Sequence, residues 1–178
     1  MALRLRSARA ADSAALAALH AASWRDTYRD AFDPAFLAGP VEAALAARWI
    51  AALEHRPRGG VVILATAGGD LAGFVAAWRQ DTECWVESLH VRPGMRGAGI
   101  GRALLGFAAG RMRAMGCVTA RLEVLAANTG ALRFYVALGG EVGAERPGEV
   151  LGQQVTECGV RWPAIATLIA ACAAPKPG

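Results

Sequence analysis

A glycine-rich turn separates two apolar runs in "VRPGMRGAGIGRALL", residues 91–105. Three of the five residues from Gly97 to Gly101 are glycines, and Arg96 and Arg102 stand on either side. A turn without side chains between a strand and a helix leaves backbone N–H groups uncovered at the positive end of the helix dipole. Such a site favours phosphate oxygens. The stretch therefore predicts a strand–turn–helix unit that binds a pyrophosphate.

Two common phosphate-binding motifs do not fit this turn. The GxxxxGK[ST] loop needs a lysine at its end, and the single lysine of the chain is Lys176. The dinucleotide fingerprint GxGxxG fails because its sixth position is not glycine when counted from Gly97 or from Gly99. This disfavours a dinucleotide-binding oxidoreductase. The spacing that remains is R-x-x-G-x-G, formed by Arg96, Gly99 and Gly101.

The order of apolar runs predicts a mostly antiparallel sheet interrupted by helices, hence an α/β (α+β) fold. A length of 178 residues suits one domain, 1–178, with a core at about 3–162 and a C-terminal tail at 163–178. Strands are predicted at 3–8, 61–67, 71–78, 83–91, 120–125, 141–146 and 154–162. Helices are predicted from Asp12 or Ser13 through Trp24, at 41–53, at 99–115 and from Asn128 to Leu138.

Proline and glycine predict the breaks between these elements. Pro34, Gly39 and Pro40 predict that residues 30–40 form no helix, and a Pro/Gly loop is expected between Arg146 and Gln154. The last residues, "AAPKPG", read as a frayed end. The apolar segment 164–174 before them either packs on the body or covers a partner.

Composition limits the class of protein. No continuous apolar run is long enough to span a membrane, and the N-terminus lacks the apolar centre of a signal peptide, so a cytoplasmic protein is expected. The net charge of +4 comes without a basic run containing aromatic residues, which argues against nucleic-acid binding. The cysteines have no metal-ligand spacing, so reduced thiols and no metal are expected; they are Cys84, Cys117, Cys158 and Cys172.

Several segments together resemble the GNAT superfamily of acyl-CoA-dependent N-acetyltransferases. The strand, turn and helix of residues 86–105 follow that family's coenzyme motif, and "NTGALRFYVALGG" (128–140) resembles its second motif. "LHAASWRDTY" (19–28) and "FDPAFL" (32–37) are similar to the front part of a bacterial branch with an SWRxTY-like helix. The resemblance extends from about Leu3 to Trp162.

The resemblance implies a fold, a cosubstrate and a binding site. The fold would be GNAT-like, a twisted central sheet with a splayed strand pair at the coenzyme. The cosubstrate would be acetyl-CoA, with its pyrophosphate on the amides of the turn and its pantetheine arm along the strand. The residues expected to bind it are Leu89, Val91, Arg96, Gly97, Ala98, Gly99, Ile100, Gly101, Arg102, Asn128 and Tyr135.

Acyl transfer to an amine needs a proton acceptor for the amine and a stabilised leaving thiolate. The resemblance implies that Tyr135 serves the thiolate. Glu87 is the first candidate for the base, His90 has a suitable pKa range, and Glu123 is a third candidate. Strand alternation predicts that Glu87 and His90 lie on opposite faces, so the base stays undecided. A covalent route through Cys84 is disfavoured, because no histidine partner is recognisable.

The predicted function is transfer of an acetyl group to a primary amine by direct attack in a ternary complex. The alternative is a non-catalytic module that binds acyl-CoA. The acceptor, a small molecule or a protein amine, is expected near Trp24, Arg25, Tyr28 and the 146–154 loop. The edge of the strand at 154–162 could pair with a second copy, so a homodimer is possible.

Overall fold

The computed structural model describes residues 2–55 and 59–174 as a single seven-stranded sheet with helices on both faces. A short 3₁₀ turn, Ala10–Asp12, precedes the first helix. The elements in chain order are β1 Leu3–Ser7, α1 Ser13–Thr27, α2 Pro34–Ala38, α3 Pro40–Glu54, β2 Gly60–Ala67, β3 Asp70–Gln80, β4 Glu83–Val91, α4 Ile100–Ala114, β5 Thr119–Leu125, α5 Thr129–Ala137, β6 Glu141–Val150, β7 Gln153–Trp162 and α6 Ile165–Ala173.

The strand order is β1-β2-β3-β4-β5-β7-β6, and every described pair is antiparallel except β4 with β5. The prediction of a mostly antiparallel sheet in a mixed α/β fold is confirmed. Two apolar layers cover the sheet. On one face, Leu16 of α1 and Trp49 of α3 belong to the same apolar cluster as Phe74 of β3. On the other face, Leu104 of α4 and Leu168 of α6 belong to the second cluster.

The parallel pair is short, and this shapes the site. β4 and β5 are in register only over Glu83–Val86 and Thr119–Leu122, which is four residue pairs. Within the described chain, β4 continues to Val91 beside β3 alone, while β5 continues to Leu125 beside β7. A gap therefore opens between the two strands, as expected for a splayed pair.

The prediction that residues 30–40 form no helix is wrong. Pro34 is the first residue of α2, and the Asp33 side chain accepts a hydrogen bond from the Ala35 backbone N–H at 2.9 Å. Pro40 likewise opens α3. Proline is tolerated at both places, because the first N–H groups of a helix have no intrahelical partner.

The loop predicted between Arg146 and Gln154 is mostly strand. β6 passes through Pro147 and Gly148 and ends at Val150, because an edge strand can accept a proline without losing a ladder hydrogen bond. β7 lies between β5 and β6, so the segment at 154–162 is internal and offers no edge to a second copy. The free edge at that end of the sheet belongs to β6.

The apolar segment near the C-terminus packs on the body of the protein. Helix α6 lies so close to α4 that a Cβ added to Gly106 would sit 2.7 Å from Cys172 Cβ. The guanidinium of Arg102 donates a hydrogen bond to the Ala174 carbonyl at 2.7 Å. The frayed end was predicted at 173–178, but Ala173 is the last residue of α6; residues 175–178 lie outside the described residues.

Candidate active site

The glycine-rich turn leaves the first turn of α4 uncovered. Gly97 and Gly99 have φ angles of +83° and +81°, which favour glycine, and no described atom lies within 4 Å of a Cβ built on either. Gly99 is the residue before the helix, and no described side chain caps it. The first intrahelical bond runs from Ala103 N–H to the Gly99 carbonyl. The amides of Ile100–Arg102 therefore have no intrahelical acceptor, and such a helix start suits an anion.

The open half of β4 presents backbone groups to the gap beside β5. Arg92 N–H donates to the Ala72 carbonyl across β3 at 2.8 Å. Because the direction alternates along a strand, the N–H and C=O groups of Leu89 and Val91 point away from β3. Their side chains pack against the α4 layer. The gap thus offers strand-like hydrogen bonding to an extended ligand that carries amides, which fits a pantetheine arm.

The two arginines of the turn are held by other parts of the chain. Arg96 donates to Asp26 Oδ2 at 2.7 Å and to Thr27 Oγ1 at 2.9 Å, at the end of α1. Arg102 bonds to Ala174, as described above. The Arg96 guanidinium therefore ties the turn to α1, and the contact that the turn offers an anion is its backbone.

Helix α5 brings Asn128 and Tyr135 beside the end of α1. Asn128 Oδ1 accepts from Ala131 N–H at 3.0 Å and so caps the helix, while its Nδ2 donates to the Tyr28 hydroxyl at 3.2 Å. Tyr135 is 7% exposed and packs edge-on against Trp162. Burial, and next the nearby Tyr28, raise the pKa of Tyr135, so its phenol keeps its proton at neutral pH.

The prediction that Glu87 and His90 lie on opposite faces is wrong. Ala76 pairs with Ser88 whereas Ala77 pairs with Val86, so Glu87 is an extra residue in a β-bulge. A bulge shifts the alternation by one position. Both side chains consequently point to the face that α1 and α3 cover.

Glu87 and His90 have different neighbours on that face. Glu87 Oε1 pairs with the Arg48 guanidinium of α3 at 2.9 Å. The His90 ring stacks on His20 with centroids 4.1 Å apart, and its Nδ1 lies 3.0 Å from Ser23 Oγ. On its other side, His20 Nδ1 accepts a hydrogen bond from the Trp49 indole at 3.2 Å.

Both histidines are uncharged at neutral pH. Burial first, then the charges of Arg96 and Arg48, lowers the pKa of His90 to about 3. Burial, the adjacent His90 and Arg48 also lower the pKa of His20 well below its ordinary value. An imidazole with so low a pKa is a weak proton acceptor.

The third candidate base, Glu123 on β5, is held in an ion-pair network. Its carboxylate lies 3.3 Å from Arg121 and 2.7 Å from Arg146, and Arg146 also contacts Glu157 at 2.9 Å. Two guanidinium groups therefore engage this carboxylate.

The aromatic residues predicted to contact an acceptor are mostly core. Trp24 is 4% exposed and packs against Phe32, and Arg25 bonds to the Leu37 carbonyl. Tyr28 is 9% exposed and reaches Asn128 instead. An open cleft of about 440 Å³ lies nearby, between the segment after α1 and the β6–β7 hairpin. It is lined by Asp30, Ala31, Leu125, Ala127, Pro147, Gln154, Val155 and Thr156.

Two further observations concern the parts of the chain that the structure covers. Among residues 2–55 and 59–174, no helix combines the length and the apolar character that a membrane span requires. In the same ranges, His, Cys, Asp and Glu side chains form no group of three or more arranged for a metal ion. All four cysteines are free thiols, and Cys84, Cys117 and Cys158 are buried.

Residues 21–139 match the Acetyltransferase (GNAT) family, a span that includes β4, the glycine turn, α4 and α5. This chain belongs to the GNAT family. The match covers more than half of the sequence, and the family predicted from residues 86–105 and 128–140 is confirmed, as is the assignment to N-acetyltransferases at the level of the family.

Individual GNAT proteins resemble this chain to different extents. The chain is 43% identical over 77 residues to streptothricin acetyltransferase of Streptomyces lavendulae, a match that spans 41% of this chain and only 40% of that relative. The PaiA N-acetyltransferase of Thermoplasma acidophilum, solved with coenzyme A, superposes with a TM-score of 0.70 at 20% identity over 89% of this chain and 98% of that one. Nourseothricin acetyltransferase superposes with a TM-score of 0.52 at 28% identity, over 58% of this chain and 66% of that one.

Sequence reasoning missed the bulge and the residues behind it. The apolar positions of β4 give a signal for the bulge, because Cys84 and Val86 are followed by Leu89 and Val91, a step of three where a regular strand has two. Arg48 stands as a single charge in the apolar stretch "ALAARWIAAL" of α3. No local pattern in this GNAT sequence pairs Arg48 with Glu87, since 39 positions separate them.

Proposed function

We propose that the protein transfers the acetyl group of acetyl-CoA to a primary amine, by direct attack within a ternary complex. The observation that carries the proposal is the gap between β4 and β5 beside the uncovered amides of α4. One end of this gap suits a pyrophosphate and its length suits an extended amide ligand. A ligand bound in this way brings its far end to the bulge at Glu87.

Acetyl-CoA supplies an activated thioester, and the chain supplies the groups that bind and orient it. The amides from Gly97 to Arg102 would hold the pyrophosphate, with Arg96 securing the turn to α1. The backbones of Leu89 and Val91 would pair with the pantetheine arm. Asn128 would place Tyr28 and Tyr135 next to the sulfur end.

The proton balance defines two roles for side chains. An alkylammonium with a pKa of about 10 must lose two protons on becoming an amide, one before attack and one as the new C–N bond forms. The C–S bond breaks, and the thiolate takes up one proton. We assign donation of that proton to the buried Tyr135 phenol, which solvent then reprotonates, and the second proton leaves to solvent.

Glu87 is the proposed acceptor of the amine's protons, directly or through one water. Its side chain is 18% exposed, so an acceptor can reach it, and it lies where the strands separate. His90 is the weaker candidate, because its pKa of about 3 opposes proton uptake. Glu123 is engaged by two arginines.

The cleft between Asp30 and Gln154 is the proposed acceptor site. The residues that line the cleft include a carboxylate and several apolar side chains, which suits an amine attached to an apolar chain. Two similar proteins are named for streptothricin and nourseothricin as substrates, which supports a small-molecule amine as the acceptor here. Trp24 would support this site through packing.

Calorimetric titration with acetyl-CoA, with NADH as the control ligand, tests the proposal first. Saturable acetyl-CoA binding without NADH binding is expected, followed by amine-dependent thiol release in a screen of small amines. Binding without thiol release from any amine would favour the alternative, a module that binds acyl-CoA without turnover. An absence of acetyl-CoA binding would contradict both.

Three further assignments from the sequence stay predictions. They are one domain over residues 1–178, a cytoplasmic location and a homodimer. If a second copy pairs with the sheet, the free strand available at that end is β6.

A further inference from the structure

Arg48 is the one ion-pair partner of Glu87 in the described part of the chain. Arg48 lies on α3, and its guanidinium nitrogen is 2.9 Å from Glu87 Oε1. Side-chain exposure is 29% for Arg48 and 18% for Glu87. The pair is therefore shielded more than a surface ion pair, yet the carboxylate keeps some exposure.

The other groups around Glu87 leave Arg48 as the dominant nearby cation. His90 from β4 and His20 from α1 are neutral. Arg96 of the glycine turn is paired with Asp26. Across the gap, Glu123 of β5 is neutralised by its own arginine partners.

We propose that Arg48 is a positioning residue for acyl transfer, fixing the Glu87 carboxylate at the bulge and favouring the uncharged form of an amine bound against it. The inference rests on the proposed function, because it assumes that the amine meets Glu87. Arg48 forms no bond with the reacting atoms. It acts through Glu87 and through its charge.

Two physical effects support this role. A single charge-assisted contact removes rotameric freedom from a flexible carboxylate and holds it in one geometry. A cation near a bound ammonium disfavours the charged state, which lowers the pH at which the amine becomes nucleophilic. Neighbouring positive charge is a known means of activating an amine.

The test is the dependence of kcat on pH for wild type, Arg48→Lys and Arg48→Met, using an amine found in the thiol-release screen. In Arg48→Met, kcat should fall about tenfold at pH 7, and its rising limb should move upward by roughly one pH unit. Arg48→Lys should keep the position of the limb and recover most of kcat, since it restores the charge. Arg6→Met, which breaks a remote ion pair with Asp12, is the control and should match wild type.

A double-mutant cycle separates positioning from a general structural effect. In a Glu87→Gln background, Arg48→Met should cost clearly less in kcat than it does beside Glu87, because the carboxylate that Arg48 positions is absent and only the effect of its charge on the amine is left to lose. Urea denaturation of the same four proteins should show coupling between the two positions, and the acetyl-CoA dissociation constant should stay within threefold of wild type. These two readouts do not depend on turnover.

The outcomes distinguish this inference from the function on which it rests. The role of Arg48 alone is overturned if wild type turns over but the rising limb of the kcat–pH profile does not move in Arg48→Met. Fully additive losses of kcat in the double-mutant cycle would overturn it as well. A wild type that releases no thiol with any amine overturns the proposed function, and the inference with it.

Discussion

The two halves of β4 differ in almost every physical respect. Over Glu83–Val86 the strand has partners on both sides, and Cys84 and Val86 are buried in the core beneath α4. Beyond the bulge, the strand has β3 on one side and the gap on the other, and its side chains are mostly half-buried. One strand thus serves the core in its first half and borders the proposed ligand site in its second.

The comparison shows how a β-sheet can hold a binding site without a loop. The bulge at Glu87 lies at the boundary between the halves, where it stops the regular ladder and turns a carboxylate toward α1 and α3. The rigid half fixes the position of the open half. Neighbouring residues should therefore respond in opposite ways to substitution.

The largest expected effect is at Val86, which is 3% exposed in the closed half. Val86→Asp should lower the free energy of unfolding by about 3 kcal/mol or more, because it buries a carboxylate without a partner. Glu87→Gln, one residue later, should change stability far less while reducing turnover. Urea denaturation and a thiol-release assay measure the two effects. Equal losses of stability at both positions would contradict the division of the strand.

At the end of the open half, Gly99→Asp should weaken acetyl-CoA binding by about 100-fold, because a side chain and a negative charge enter the space proposed for a phosphate. Gly69→Asp is a matched control. Gly69 has a φ of +98° and open surroundings like Gly99, but it lies in the β2–β3 turn. Calorimetry should show wild-type affinity for the control. Similar losses in both would assign the effect to backbone strain instead.

Tyr135 is a buried residue of α5, and Tyr135→Phe should lower kcat by about 30-fold with little change in the acetyl-CoA dissociation constant. The phenyl ring keeps the packing against Trp162 and removes only the hydroxyl. Steady-state kinetics and calorimetry measure the two quantities. Turnover equal to wild type would remove Tyr135 from the role of proton donor.

The smallest expected effect concerns pH and the histidines beside the bulge. Since the folded pKa of His90 is about 3 and its ordinary value is 6.5, the unfolded chain binds a proton between these values that the folded chain does not. Stability should therefore fall as the pH drops below 6.5. His90→Gln should remove about 2 kcal/mol of this fall between pH 7 and pH 5.

Urea denaturation at the two pH values measures the difference, with His55→Gln as the control at an exposed histidine. An unchanged slope in His90→Gln would show that His90 is accessible to protons in the folded protein.

The repetitive parts of the structure were predictable from the sequence. The strands around the β2–β3 hairpin, β4, and the helix after the glycine turn follow from apolar periodicity and from glycine, because these are local preferences. α2 and the second half of β6 were missed, since proline was read as a break. Pro34 begins a helix and Pro147 lies in an edge strand, and both placements depend on neighbours that a local pattern does not contain.

The candidate site was predictable where it depends on backbone and not where it depends on pairing. Gly97 and Gly99 have the conformations that their position in the motif suggests. The ion pairs of Glu87 with Arg48 and of Arg96 with Asp26 join distant segments, and they follow from the way α1 and α3 cross the sheet. The face of Glu87 was mispredicted for one reason, a single inserted residue.

The short parallel contact between β4 and β5 also has a mechanical consequence. Strands β1–β4 form one part of the sheet and β5–β7 the other, and four residue pairs between β4 and β5 connect the two parts. The sheet therefore bends most easily at this connection. A molecule that binds both strands across the gap would stiffen this connection, because it would replace the missing ladder hydrogen bonds between β4 and β5. Amide protons of β5 and β7 should then exchange more slowly once the ligand is bound, although these strands lie across the gap from the open half of β4.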